Sequence, residues 1–153
     1  MMKKVLILTV FLALSITGFE AHALSVLGSF STDSFPGTSI SSTDPEGLTW
    51  GAGYLWVVDD VDEFAYRLDV SDLSNIGVTT FSLNDFPLNS GLNASDAEGI
   101  AYDGTNLWIA DGIHEDVFKV DRDTFEVLAP TPFDNLDSFG INDTEGAAWL
   151  DGY

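Results

Sequence analysis

The sequence predicts an all-β fold assembled from repeated units of four short antiparallel strands, and three observations predict it. The first is an internal repeat. Asp44-Pro45-Glu46-Gly47-Leu48-Thr49-Trp50 returns 52 residues later as Asp96-Ala97-Glu98-Gly99-Ile100-Ala101-Tyr102, and opens a third time as Asp143-Thr144-Glu145-Gly146-Ala147-Ala148-Trp149. The first two copies align without a gap through Leu55-Trp56 against Leu107-Trp108, Asp59 against Asp111, and Tyr66-Arg67-Leu68-Asp69 against Phe118-Lys119-Val120-Asp121. Self-similarity at about 40 to 50 residues marks a propeller, a solenoid or an array. The second observation is that each copy reads as short apolar runs between turn residues, with no long stretch at helical spacing. The third is composition: the chain is 45% hydrophobic and its aromatics recur at fixed places in each unit, so it folds despite a net charge of −20.

The elements follow in order. Lys3 and Lys4 precede an apolar run from Val5 to Phe19, and Ala21-His22-Ala23 supplies a small-x-small cleavage pattern, so residues 1–23 read as a signal peptide. The run is shorter than the roughly 20 apolar residues a retained anchor needs. The mature chain is therefore expected to be secreted or periplasmic and off the membrane. Residues 24–43 form an N-terminal strand, around Val26 to Phe30, and a linker. Residues 44–95 are the first unit, with strands at Gly47–Trp50, Tyr54–Val58, Phe64–Leu68 and, outermost, Val78–Leu83. Residues 96–142 are the second, with strands at Gly99–Tyr102, Leu107–Ala110, Val117–Val120 and Phe125–Leu128, and Asp103-Gly104 as a turn signal. Residues 143–153 begin a third unit and stop before its Leu-Trp strand.

Four antiparallel strands per unit, a small-residue inner strand and aromatics able to pack between neighbours describe the blades of a partial β-propeller better than a solenoid coil. A β-sandwich suits the length but does not explain an ungapped copy of a whole multi-strand unit. Repeat units need about three copies to stack stably, so two units and a stub are expected to be a fragment of a longer protein. A subunit that self-associates through unpaired blade edges, or an open array stable alone, is the other reading.

Composition excludes several functions. With the leader removed, Arg67, Lys119 and Arg122 stand against 24 acidic residues, a net −21. Nucleic-acid binding rests on Lys and Arg neutralising phosphates, and an anionic membrane repels such a chain. Divalent cations, or a protein or glycan partner, fit better, although acidity also simply keeps an exported protein soluble. The absence of cysteine removes disulfides even in an oxidising compartment. No Gly-x-Ser-x-Gly, His-Glu-x-x-His or Gly-x-x-x-x-Gly-Lys is present.

Gly99-Ile100-Ala101-Tyr102-Asp103-Gly104, Leu107-Trp108-Ile109-Ala110-Asp111 and Val117-Phe118-Lys119-Val120-Asp121 together resemble the blade signature of NHL-repeat and related six-bladed propellers. The acidic Asp-x-Glu-Gly before the inner strand departs from the proline and glycine of many NHL blades. It is similar instead to the senescence-marker-protein/gluconolactonase family and to phytase-like propellers, and the gluconolactonase resemblance implies a glutamate that reaches a divalent metal in the central channel.

Glu46, Glu98 and Glu145 are accordingly the candidate metal ligands. In equivalent units they sit at one height, where like charges repel unless protonated or bridged by a cation, and oxygen-only ligands suit Ca²⁺ or Mg²⁺. The competing reading is structural: Asp44, Asp96 and Asp143 cap turns and the glutamates are solvated. Asp59 and Asp111, each closing a second strand, read as turn caps. Asp59-Asp60-Val61-Asp62-Glu63 has the acid density of a calcium loop without an EF-hand's sixth glycine or distal glutamate, and reads as a solvated turn. His114, the one histidine of the mature chain, reads as a surface residue. Asn93-Ala94-Ser95 and Asn142-Asp143-Thr144 fit a glycosylation pattern.

Two functions follow. The first is a secreted, non-catalytic repeat module binding Ca²⁺ or a protein or glycan partner through acidic loops. The second is a fragment of a metal-dependent propeller hydrolase of the lactonase, esterase or phytase-like kind, with Glu46, Glu98 and Glu145 near the cation. The hydrolase needs ligands from most of a ring, so the binding module stands first.

Overall fold

The computed structural model describes residues 28–86, 92–128 and 144–150. These residues are all-β, with no helix among them. The expected signal peptide, Asp143 and the Asn142 glycosylation pattern lie outside the described residues in whole or part. The first sheet runs β1 (Pro45–Gly51), β2 (Tyr54–Asp59), β3 (Phe64–Asp69) and β4 (Gly77–Ser82), each antiparallel to the next. The second runs β5 (Ala97–Tyr102), β6 (Leu107–Asp111) and β7 (Asp116–Val120) in the same manner. The seven strands fall within two residues of the expected boundaries. In the second unit the expected outer strand is reduced to one bridge, Val127 to Val120.

Period-2 alternation gives each strand two different faces, and the repeat assigns them the same way in both units. Trp56, Val58 and Ala65 of the first sheet bury against Ile100, Leu107, Ile109, Phe118 and Val120 of the second, with Phe86, Phe125 and Val127 at the outer end. Phe81 and Phe125 stack with ring centroids 4.4 Å apart, which ties β4 to the outer end of the second unit. The opposite face of the first sheet, Leu55, Val57, Tyr66 and Leu68, is covered by the segment before β1 through Phe30, Phe35 and Ile40. That segment is held by backbone bonds from Ser42 N to Thr32 O and from Ile76 N to Pro36 O.

The inner strands lie side by side and run the same way. Gly47 faces Gly99, where an added Cβ would fall 2.8 Å from the Gly99 Cα, and Gly51 faces the ring of Tyr102. Gly99 in turn faces the third copy of the motif, where a Cβ would fall 2.6 Å from the Gly146 Cα. The three Glu-Gly pairs therefore form one row, with glycine required at Gly47 and Gly99 because backbone occupies the space a side chain would need.

Candidate metal centre

The acidic end of this row is built by a repeated backbone irregularity. Pro45 pairs with Asp59 and Gly47 with Val58, so Glu46 is an extra residue in β1. Ala97 pairs with Asp111 and Gly99 with Ala110, which makes Glu98 the extra residue in β5. A β-bulge of this kind leaves its residue outside the ladder and re-aims its side chain, so both candidate glutamates leave the alternation that places Leu48 and Ile100.

Beneath each bulge a buried carboxylate fixes the loop. Asp59 is fully buried and accepts hydrogen bonds from Ser42 Oγ (2.5 Å), Asp44 N (2.9 Å) and Asp62 N (2.6 Å). Asp111, equally buried, accepts from Asp96 N (3.2 Å) and His114 N (2.5 Å), and lies 3.0 Å from His114 Nδ1. A buried carboxylate is tolerable only when donors replace its lost water, and the turns supply them. Asp59 and Asp111 are thus turn caps, as their spacing predicts. Glu63 and Glu115, with φ of 54° and 57°, close the two loops in the same left-handed conformation.

Carboxylates converge above these caps. One oxygen each from Asp44, Glu46 and Asp60 lie within 4.8 Å of one another, as do oxygens of Asp60, Asp96 and Glu98. Asp60 belongs to both groups and joins the first unit to the second. Its Oδ1 is buried and has no hydrogen-bond partner among the described residues, a costly state for a carboxylate oxygen. The local charge reaches the neighbouring core: burial first, then the negative charges of Asp62 and Asp59 and a hydrogen bond with Asp62, raise the Tyr66 hydroxyl above the ordinary tyrosine range.

Of the three predicted ligands the structure therefore brings Glu46 and Glu98 into groups that share one aspartate. Glu145 belongs to neither group. The repeat explains this, because the residue equivalent to Asp60 in the second unit is Gly112, which has no carboxylate to reach toward the third copy of the motif. In the sequence Asp60 is one acid among four in a turn with the pattern of a solvated loop. The signal that finds it is the loss of repeat symmetry, Asp60 against Gly112, in a segment where Asp59 and Asp111 still match.

His114 is largely exposed but has a carboxylate partner in Asp111. Asn93 is partly buried, with its Oδ1 enclosed and Ala94 beside it fully buried, so this glycosylation pattern does not present an open loop. No described helix is long and apolar enough to cross a membrane. Comparison with protein-family models, with curated proteins and with solved structures returns no match.

The donor set fits a hard divalent cation. Five carboxylates, four of them gathered around the shared Asp60, offer only oxygen, the preference of Ca²⁺ and Mg²⁺, and Ca²⁺ accepts six to eight such ligands in irregular geometry. Softer metals want histidine or cysteine; His114 is engaged with Asp111, and cysteine is absent from the sequence.

Proposed function

We propose that this chain is a secreted β-propeller repeat module, non-catalytic, that binds Ca²⁺ where its two units meet. The observation that carries the reading is Asp60: one aspartate of the first unit shared by acidic groups from both, with a buried, unpartnered oxygen. Glu46 and Glu98, re-aimed by their bulges, are the outer ligands, with Asp44 and Asp96 beside them. A cation here offsets the repulsion among five carboxylates and stabilises the packing of one unit on the next by mass action, since the unfolded chain has no such site. The propeller assignment is supported by the side-by-side inner strands, the face-to-face packing of equivalent sheets and the repeated register.

Calorimetric titration of the purified chain with CaCl₂ tests the proposal. Saturable binding is expected, with a rise in melting temperature, and Asp60→Asn should weaken it at least tenfold, which is about 1.4 kcal/mol. Unchanged affinity in Asp60→Asn, or no binding by the parent chain, would refute it.

A further inference from the structure

The two units break the same local rule at the same place. Residues 60–63 join β2 to β3, and residues 112–115 join β6 to β7. Turns favour Gly, Pro, Asn, Asp and Ser, yet the second residue of these loops is Val61 in one unit and Ile113 in the other, β-branched residues suited to strands. Their side chains are 63% and 68% exposed and belong to neither buried cluster. The residues on either side differ between the units, Asp60 against Gly112 and Asp62 against His114, while the aliphatic recurs. A local rule broken twice, with no packing gained in return, marks a position that serves contact with something else.

Both tips are held rigidly from within their own hairpins. Asp59 accepts from Asp62 N and Asp111 from His114 N, and Glu63 and Glu115 close the loops at positive φ. Exposure at such a tip is set by the hairpin, not by what stacks on the sheet faces. Because the inner strands run the same way, the two tips stand at one end of the two sheets. Phe64, the first residue of β3 and 38% exposed, widens the first tip. The surroundings are acidic: Asp60, Asp62 and Glu63 flank Val61, and Glu115 and Asp116 follow Ile113.

We propose that Val61 and Ile113 are paired anchors of a docking surface for a protein that presents Lys or Arg beside an apolar cleft. An apolar centre within a polar rim is the anatomy of a protein interface, and the sign of this rim selects a cationic partner by charge complementarity. A bilayer would also accept two aliphatic tips, but the acidic rim has no pairing for lipid phosphates and is repelled by an anionic surface. The proposal rests on the reading of the chain as a binding module and not on its calcium site.

Fluorescence anisotropy of a labelled synthetic amphipathic peptide of leucine and lysine, titrated with the purified chain in about 0.15 M salt and EDTA, is the test. Saturable binding is expected. The double variant Val61→Ser/Ile113→Ser keeps every charge and should weaken binding at least tenfold, with circular dichroism and melting temperature as in the parent. Leu73→Ser, at an exposed aliphatic position beyond the far end of β3, should bind as the parent does. EDTA removes calcium, so failure here is distinct from failure of the calcium site, which titration with CaCl₂ reads separately. No binding of the peptide, unchanged affinity in the double variant, or an equal loss in Leu73→Ser would overturn the proposal. So would binding of the chain to phosphatidylcholine vesicles that the double variant abolishes, because the tips would then serve a membrane.

Discussion

The two units share a backbone and differ in their loops. Both have the same antiparallel order, the same bulge at Glu46 and Glu98, the same buried aspartate under it and the same left-handed glutamate closing the loop. They part where no ladder constrains them. The first unit has four strands, Asp60, and a two-residue turn at Ala52-Gly53 with both φ angles positive. The second has three strands, Gly112, and a four-residue turn capped by Asp103, which accepts from Thr105 N, Asn106 N and Trp108 Nε1. Cations cover the indole in both, Arg67 over Trp56 and Lys119 over Trp108, with centroid distances of 5.7 and 5.0 Å. Strand pairing thus preserves the repeat, while the loops diversify its chemistry.

The tryptophans break the comparison most severely. Trp56 is fully buried between the units and Trp108 only partly. Trp56→Ala should cost about 3–5 kcal/mol in urea unfolding and Trp108→Ala about half of that, in line with the smaller area it buries; equal losses would mean the units do not pack as described. Next come the capping aspartates. Asp59→Ala and Asp111→Ala each strand buried donors and should each cost about 1–3 kcal/mol. Similar losses are expected in the two units, and a much smaller loss for one would end their equivalence.

Acid separates the turns. Desolvation works to raise the Asp103 carboxyl, but hydrogen bonds from Asn106, Trp108 and Thr105, with the charge of Lys119, outweigh it and hold the pKa below the ordinary value. A depressed folded pKa contributes stability above the unfolded carboxylate value of about 3.9, and that stability is lost as pH falls through the folded value. Asp103→Asn should therefore lower stability at neutral pH and flatten its decline below about pH 4, whereas the first unit's Ala52-Gly53 turn has no such term. An unchanged acid limb in urea midpoints would contradict this. The smallest effect is expected at Ala52, a non-glycine residue with φ of 55°. Ala52→Gly relieves strain that outweighs glycine's added entropy and should gain up to about 1 kcal/mol, seen as a higher melting temperature; a loss would refute the turn assignment.

Strand positions were legible because the repeat states them twice: Leu55-Trp56-Val57-Val58 and Leu107-Trp108-Ile109-Ala110 differ in residues and agree in pattern. The capping role of Asp59 and Asp111 was legible for the same reason. The outer strand of the second unit was not, since Phe125 turns at φ 60° and only Val127 reaches the ladder. The metal candidates were half legible. Equivalent positions pointed to Glu46, Glu98 and Glu145, but symmetry cannot reveal a residue that departs from it. Asp60 has no counterpart at Gly112, and its place in both acidic groups depends on packing between units, which local sequence does not encode.

The most direct test of the proposed calcium site is the calcium affinity of three single variants, Glu46→Gln, Glu98→Gln and Glu145→Gln, beside the parent chain. A site at the junction of the two units predicts that the first two weaken binding about tenfold, one from each unit, while Glu145→Gln binds as the parent does. Equal weakening by all three would mean that calcium reads only the overall acidity of the row, and would contradict a site organised by Asp60.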